Sequence, residues 1–145
     1  MDEKLIIRDL IINDYKALTP LIEALGYPAT HEEVKQRIEK IVLDKTLTTF
    51  VAELNGKIVG FIGLCKSFAY ERNECYVRVT ALVVSEEYRK KGIGTKLIQA
   101  SEEWSRKEKA SSIVLNSGIN RKEAHKFYEN KGYKIKGYSF FKDIS

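Results

Sequence analysis

Two β-rich segments of the sequence, Leu47–Leu54 and Lys57–Cys65, are separated by the dipeptide Asn55-Gly56. This dipeptide is the strongest short signal for a hairpin, because both residues tolerate the positive φ angles of a type I′ turn. A third β-rich segment, Cys75–Val84, follows after a polar loop. The sequence therefore predicts three consecutive antiparallel strands, which restricts the chain to folds built around a sheet.

Helical patterns precede this predicted sheet. After a short strand at Lys4–Arg8, apolar residues recur at helical spacing through Leu18–Leu25, and Gly26 predicts the end of that helix. Pro20 is expected to kink or restart the helix, with Thr19 as the cap. A second amphipathic helix is predicted to begin at a T-x-x-E capping box, and its apolar residues lie on one face.

Beyond Val84 the pattern changes to alternating helices and strands. The predicted elements are a helix from Ile93 to Trp104, a strand at Ser112–Leu115, a helix at Glu123–Asn130 and a last strand at Tyr133–Phe141. Trp104 lies on the apolar stripe of its helix and is expected in the core. This order of elements indicates one α+β domain that spans residues 1–145.

Composition limits the class of protein. The chain has 145 residues, of which 43% are apolar and 31% charged, as is typical of a single globular domain. No segment approaches the ~20 apolar residues of a membrane span, and the N-terminus lacks a signal-peptide pattern, so we predict a cytoplasmic protein with no membrane partner. Cys65 and Cys75 lack zinc-site spacing, and the two histidines lie far apart, so no metal site is predicted.

The net charge of +5 is unevenly distributed. Residues 1–84 carry 11 basic and 12 acidic residues, whereas residues 85–145 carry 14 basic and 8 acidic residues. This asymmetry suits an anionic ligand on the second half and a neutral or cationic ligand on the first, although solvated lysines explain it equally well. No helix-turn-helix or RNA-binding signature is present, so we predict no nucleic-acid partner.

The segment SEEYRKKGIGTKLI, residues 85–98, connects the third strand of the meander to a helix. Free backbone N–H groups at a helix N-terminus bind anions, and Gly92 and Gly94 lack a Cβ that would keep a phosphate away. The segment is not a Walker loop, because Lys96 follows Thr95 in the wrong order, and it is not a dinucleotide fingerprint, because Leu97 replaces the third glycine. The residues alone predict an anion site.

Two motifs resemble the GNAT superfamily of N-acetyltransferases. Arg89-x-x-Gly92-x-Gly94 is similar to the [QR]-x-x-G-x-[GA] pyrophosphate loop of that superfamily, and NRKEAHKFYENKGYK, residues 120–134, is similar to its N-x-x-A-x-x-[FL]-Y-x-x-x-G-[FY] segment. The resemblance covers essentially the whole chain. It implies an α+β GNAT fold with a mixed, mostly antiparallel central sheet flanked by helices, in which splayed parallel strands form the cleft for acetyl-coenzyme A (acetyl-CoA).

The resemblance also implies which residues hold acetyl-CoA as co-substrate. The backbone of the strand end would pair with the pantetheine arm, the amides of the glycine loop would bind the pyrophosphate, and Asn120 would hydrogen-bond the cofactor arm. Tyr128 would lie beside the sulfur. The implied cofactor-binding residues are Leu82, Val83, Val84, Arg89, Lys90, Lys91, Gly92, Ile93, Gly94, Thr95, Asn120 and Tyr128.

Direct transfer of an acetyl group to an amine requires a base and an acid. Tyr128 is the predicted catalytic acid for the leaving thiolate. The base is open, because the stretch where some family members carry a glutamate reads Val77-Arg78-Val79-Thr80 here, and Arg78 cannot accept a proton. Glu74 is the catalytic candidate that we favour, with Glu71 or bulk water as alternatives.

The acceptor is expected to be a small cationic amine, with a protein or peptide as the alternative. Tyr27 and Tyr70 are the predicted substrate-binding residues, because the loops that contain them border the acceptor site in this family. A non-catalytic acyl-CoA sensor would carry the same motifs. The aromatic residues at 138–141 fit either a core strand or a contact in a homodimer, and periodicity does not separate these.

Overall fold

The predicted hairpin at Asn55-Gly56 is confirmed in the computed structural model, which describes residues 4–145. Both turn residues have positive φ angles, 51° and 84°, as a type I′ turn requires. The hairpin joins strands β2 (Leu47–Leu54) and β3 (Lys57–Ser67), and β3 pairs with β4 (Tyr76–Val84) in the antiparallel direction. The meander predicted from the sequence is therefore present.

Two more strands extend this meander into a mixed sheet. Strand β1 (Leu5–Asp9) pairs antiparallel with β2, and β5 (Ile113–Leu115) lies beside β4, so the order in the sheet is β1-β2-β3-β4-β5. Sheet order thus follows chain order, and β4 lies between one antiparallel neighbour and β5.

The direction of β5 follows from the hydrogen bonds at its start. The amide of Ser111 donates to the carbonyl of Cys75 at 2.9 Å, and the amide of Val77 donates to the carbonyl of Ser112 at 3.0 Å. Residue numbers increase together along both strands, so β5 enters parallel to β4. The mixed sheet agrees with the fold expected from the sequence.

Two helices cover one face of this sheet. Helix α1 (Tyr15–Ala24) and helix α2 (His31–Leu43) contribute apolar side chains to a core cluster with the strands. We call the covered side the α1/α2 face. The buried members of the cluster are Leu10, Leu18, Leu21, Val34, Ile38, Val51, Phe61 and Val83.

Helix α3 (Ile93–Lys107) covers the opposite face. Ile62 and Leu64 alternate with Phe61 along β3, so their fully buried side chains point away from the α1/α2 face. Helix α3 contacts β2, β3 and β4, and it buries Leu97 and Ile98. The sheet therefore lies between two helical layers.

Helix α1 differs from the prediction at Pro20. The helix runs through the proline without ending, and Thr19 does not cap a new helix. Instead, the Thr19 hydroxyl donates a hydrogen bond to the carbonyl of Tyr15 at 2.9 Å. Pro20 lacks the N–H that would donate a hydrogen bond to the backbone carbonyl of Lys16. The packing of Leu18 and Leu21 against the core nevertheless keeps the segment helical. The capping box of α2 is confirmed, because Thr30 and Glu33 exchange hydrogen bonds.

The chain consists of two compact units, an N-terminal unit that ends at Val114 and a C-terminal unit, Leu115–Ser145. The C-terminal unit contains helix α4 (Lys122–Asn130), as predicted. The predicted last strand at Tyr133–Phe141 is wrong: residues 134–145 have no regular secondary structure. An extended apolar segment becomes a strand only when another strand pairs with it, and the described residues supply no such pairing.

Aromatic side chains in this last segment are exposed. Tyr138, Phe140 and Phe141 are each at least 87% accessible, so they do not form the core strand that was one alternative. The homodimer contact remains a prediction. Within residues 4–145, no helix is both long and apolar enough to cross a membrane.

A buried ion pair fixes β1 to the turn that precedes α1. The carboxylate of Asp14, which is 7% exposed, accepts hydrogen bonds from both terminal nitrogens of Arg8, at 2.9 and 3.0 Å, and from the amide of Ile11 at 2.9 Å. Arg8 also reaches Glu53 on β2 at 3.5 Å. Burial raises the pKa of Asp14, but the hydrogen bonds from Arg8 and Ile11 outweigh this effect and hold the pKa below its ordinary value.

We expect Asp14→Asn to lower the free energy of unfolding by about 2 kcal/mol at pH 7, because the substitution leaves Arg8 without its main counter-charge. Since the pKa of Asp14 is depressed in the folded state, its contribution is complete above the unfolded pKa of ~3.9 and is lost as the pH falls through the folded value. Urea unfolding at pH 7 and pH 3 tests this. The difference between wild type and Asp14→Asn should shrink at the lower pH.

The matched control is Glu39→Gln, which removes an exposed carboxylate from α2. A change of less than about 0.5 kcal/mol is expected there. Equal stability of Asp14→Asn and wild type at pH 7 would contradict the role assigned to the ion pair.

Candidate active site

The connection between β4 and α3 is held at its base by backbone contacts. The amide of Ser85 donates to the carbonyl of Val59 at 2.7 Å, and the amide of Tyr88 donates to the carbonyl of Ser85 at 2.9 Å. The Nε–H of Arg89 donates to the carbonyl of Val84 at 3.3 Å. Arg89 therefore ties the loop back to the strand end, and its side chain helps to set the loop conformation.

Two left-handed residues shape the rest of this loop. Lys90 has a φ angle of 64° and Gly92 has a φ angle of 79°. Alternating left- and right-handed residues turn successive amides toward one side and form a concave anion site. A left-handed lysine is strained, and such strain is commonly found at ligand sites. A Cβ added to Gly92 would meet nothing within 4 Å, so the space beside it is open.

The first amides of α3 have no acceptor within the helix. Lys96 donates the first helical bond, to the carbonyl of Gly92 at 3.1 Å, so the amides of Ile93, Gly94 and Thr95 precede the ladder. Gly92 is the N-cap and has no side chain to accept from them, and the first turn contains no acidic residue. The helix dipole places positive potential at the same point. These groups fit a bound pyrophosphate.

Basic side chains surround the loop. The ammonium groups of Lys57 and Lys91 lie 5.4 and 5.8 Å from the ring centroid of Tyr88. Lys90 and Lys96 are exposed. Sequence reasoning missed Lys57, which reaches the loop because antiparallel pairing of β3 with β4 brings the start of one beside the end of the other. Antiparallel pairing of the second and third predicted strands of the meander could have indicated this neighbour.

The end of β4 extends beyond β5. With the pairing at the start of β5, its three residues end level with Val79 or Thr80, so Ala81–Val84 continue past them. An extended pantetheine arm could pair with this backbone as a strand would. The side chains of Val83 and Ile93 are buried in the core, so these two predicted residues can contact a ligand only through the backbone.

A β-bulge interrupts β4 just before this open end. Leu64 is paired with Val79 but the adjacent Gly63 is paired with Ala81, so Thr80 is an additional residue. A Cβ on Gly63 would lie 2.7 Å from the Thr80 hydroxyl oxygen. The absence of a side chain at Gly63 therefore makes room for Thr80 on the α1/α2 face.

The remaining predicted cofactor residues are in the C-terminal unit. Asn120 is exposed in the turn before α4. Tyr128 packs edge-on against Phe127 and Tyr133, with ring centroids 5.4 and 6.0 Å away. Burial raises the pKa of the Tyr128 phenol, against a smaller opposite effect of the Arg121 charge. The phenol thus stays protonated at neutral pH, as a proton donor must.

The predicted base and acceptor residues are exposed parts of the N-terminal unit. Glu74 lies two residues before the start of β4, and Tyr27 follows α1. Tyr70 projects fully into solvent from the loop between β3 and β4. Glu53, a carboxylate on β2, is engaged with Arg8.

One thiol and both histidines form hydrogen bonds within the protein. Cys75 is buried, and its thiol donates to the carbonyl of Glu108 at 3.5 Å. The Nδ1 of His31 is hydrogen-bonded to the Thr19 hydroxyl and the Nε2 of His125 to the carbonyl of Gly118. Among the described residues, no cluster of three or more His, Cys, Asp or Glu side chains could hold a metal ion.

Trp104 differs from the core residue that was predicted. It is half-buried, and it lines an open cavity of about 540 Å³ between β1, β2 and the C-terminal half of α3. The open cavity leaves part of the large indole accessible, so Trp104 is not a fully buried core residue. The cavity lies away from the glycine loop, which is at the other end of α3.

Comparison with known proteins agrees with this geometry. Residues 10–133 match the model of the acetyltransferase (GNAT) family. The chain is 33% identical over 103 residues to the aminoalkylphosphonate N-acetyltransferase of Salmonella typhimurium, which covers 71% of this chain and 67% of that protein.

Two crystal structures share the fold. A GNAT family acetyltransferase of Staphylococcus aureus superposes with a TM-score of 0.85 at 32% identity, over 97% of this chain and 98% of that one. An aminoglycoside N-acetyltransferase solved in complex with CoA has a TM-score of 0.87 at 15% identity, over 100% and 98% of the two chains. The chain therefore belongs to the acetyltransferase (GNAT) family, and is an acyltransferase that uses acetyl-CoA for N-acetylation.

Proposed function

We propose that this enzyme transfers the acetyl group directly to a small primary amine, with both substrates bound together. The observation that carries this proposal is the group of backbone amides at the start of α3. They have no hydrogen-bond acceptor within the helix, and they lie beside the left-handed Gly92. The relative from Salmonella acts, by its name, on aminoalkylphosphonates, which are small amines. We also propose that residues 1–145 act as one GNAT domain, since the family match runs through both units.

The loop residues bind and orient the donor. The amides from Arg89 to Thr95 would hold the pyrophosphate, with Lys90 and Lys91 adding charge. The backbone from Leu82 to Val84 would pair with the pantetheine arm, and Asn120 would hydrogen-bond it. Bound acetyl-CoA supplies the acetyl group as a thioester. Holding donor and acceptor together supplies much of the rate enhancement.

The transfer step needs two proton movements. A C–N bond forms between the amine and the acetyl carbon, the C–S bond breaks, and its electron pair leaves on sulfur. Tyr128 donates its phenolic proton to that sulfur and regains a proton from solvent. Glu74, directly or through water, accepts the proton that the amine loses. Tyr27 and Tyr70 border the acceptor.

Initial-rate kinetics test the order of these events. Release of free thiol should be followed with several primary amines while acetyl-CoA and amine concentrations are both varied. Intersecting double-reciprocal lines are expected for a ternary complex, and the burial of Cys75 fits the absence of an acyl-enzyme. Parallel lines, or an acetylated protein in the mass spectrum, would contradict direct transfer.

The same experiment separates the other candidate functions. Acetylation of peptides but not of free amines would identify a peptide or protein acetyltransferase. Tight binding of acetyl-CoA without turnover of any amine or peptide would identify a sensor.

A further inference from the structure

Arg78 occupies a well-defined place on β4. It is paired with Cys65 on β3, so its side chain lies on the α1/α2 face, on the far side of the Thr80 bulge from Val83. The side chain is half-buried. Within residues 4–145, the Arg78 side chain takes part in no hydrogen bond and no ion pair, although its backbone is paired in the sheet.

Along β3 and β4, the side chains next to Arg78 on this face carry no charge. The neighbouring positions on the face are Ser67, Tyr76 and Thr80, together with Cys65. None of these side chains can neutralise a guanidinium, although three carry hydroxyl groups that can bind an anion.

Another arginine on a strand, Arg8, shows how a guanidinium group is neutralised by carboxylates within this protein. Arg8 on β1 is also half-buried, with 30% of its side chain exposed, and it is paired with both Asp14 and Glu53. A partly desolvated guanidinium without a counter-charge costs free energy. The contrast with Arg8 indicates that the partner of Arg78 comes from outside the chain.

The position of Arg78 relative to the donor identifies that partner. The pyrophosphate loop follows Val84, six residues beyond Arg78, a separation of roughly 20 Å along a strand. The phosphates are therefore held at the opposite end of β4. The pantetheine arm runs from that loop back along the strand, so its thioester end points toward the bulge and Arg78.

We propose that Arg78 anchors an oxyanion on the acceptor, so that the substrates of this enzyme are short amines that carry a carboxylate or phosphonate group. This inference rests on the proposed function and names its substrate class. The planar guanidinium makes two parallel hydrogen bonds to either oxyanion, and the hydroxyls on the same face can bind the third oxygen of a phosphonate. With the acid group fixed at Arg78, the amine end of the molecule extends toward the thioester.

Three amines of similar length test the proposal: propylamine, 3-aminopropanoate and 2-aminoethylphosphonate. For the wild-type enzyme we expect kcat/KM to be at least ~10-fold higher for the two acids than for propylamine. The acid with the higher kcat/KM shows whether the preferred oxyanion is a carboxylate or a phosphonate. In parallel, the melting temperature should be measured with each amine in the presence of CoA.

Arg78→Gln should reduce kcat/KM for the acids by about 10- to 100-fold and leave propylamine unchanged, with the change mainly in KM. Arg78→Lys should fall between the two, because an ammonium cannot form the paired hydrogen bonds. The control is Arg106→Gln, which removes an exposed arginine from α3 and should change none of these rates. Melting temperatures of the free variants show whether each one folds.

Equal preference of the wild type for acidic and neutral amines would overturn the inference. So would an Arg78→Gln enzyme that loses activity equally with all three amines, because that result marks a general structural role. If none of the three is acetylated, direct transfer to small amines fails, but the melting measurement still decides the inference. Stabilisation by the acids that disappears in Arg78→Gln supports the anchor, and no stabilisation by either acid removes it.

Discussion

Tyr128→Phe is expected to lower kcat by about 10- to 1,000-fold, because a positioned acid typically contributes ~10²–10⁴-fold and water can replace part of that effect. The rings of Phe127 and Tyr133 pack edge-on against the Tyr128 ring, and phenylalanine keeps that ring, so the substitution should preserve the packing of α4. An interaction made in the transition state lowers kcat and kcat/KM together, while the affinity for acetyl-CoA stays the same.

The pH dependence gives a second measurement of the same role. Burial raises the pKa of Tyr128 above its ordinary value of 10.0. The phenol is therefore protonated throughout the neutral range, and titration of this group should not reduce kcat in that range. The contrary result would be a wild-type kcat that begins to fall before pH 9 as the pH is raised, while kcat of Tyr128→Phe stays constant. That result would show that the phenol loses its proton at too low a pH to act as the proposed acid.

Tyr138→Phe is the matched control, since it removes an exposed phenol from the same unit. Its kcat should equal that of the wild type. The decisive comparison needs conditions in which the chemical step is rate-limiting. A wild-type kcat in Tyr128→Phe under those conditions would assign the tyrosine to packing alone.

Gly94→Val is expected to weaken acetyl-CoA binding by about 10- to 1,000-fold. The branched side chain would stand where the pyrophosphate approaches the first turn of α3, and several charge-assisted hydrogen bonds from the amides would be lost together. Valine has a higher helix propensity than glycine, so α3 should still form. Isothermal titration with CoA, together with the melting temperature, measures both effects.

Gly92 is a less informative position, although it is part of the same motif. Its φ angle of 79° is left-handed, so valine there would strain the backbone by ~1–2 kcal/mol and would not leave the fold unchanged. The control for Gly94→Val is Gly137→Val, at a position where a Cβ meets nothing within 4 Å. Unchanged CoA affinity in folded Gly94→Val would mean that the pyrophosphate binds elsewhere.

Local sequence signals predicted the elements that depend on local chemistry. The turn at Asn55-Gly56 and the capping box of α2 form from interactions within a few residues, and both are present. Pro20 misled the prediction, because burial of the α1 stripe outweighs the lost hydrogen bond. The last strand was also wrong, because pairing with a distant segment decides whether an extended apolar segment becomes a strand.

The candidate site was predicted unevenly for the same reason. The glycine loop is contiguous, so its motif was enough to predict an anion site there. Lys57 was missed because it reaches the loop through strand pairing. Arg78 was recognised as the residue that replaces a base, but its unpaired state is visible only when its neighbours in the sheet are known. The bulge at Thr80 was hidden because Val77, Val79, Ala81 and Val83 continue a regular alternation in the sequence.

That extra residue constrains the length of the chain at this point. Val77 and Val79 face the layer of α3, whereas Ala81 and Val83 face the layer of α1 and α2, and Thr80 allows the change of side. Deletion of Thr80 would restore strict alternation, so that one half of β4 would have to turn over. Arg78 would then point into the apolar layer beneath α3, and the valines beside it would lie on the α1/α2 face. Substitution of Thr80 should thus be tolerated better than its deletion. Homologous enzymes that bind their acceptor through an arginine at the position of Arg78 should align through β4 without gaps.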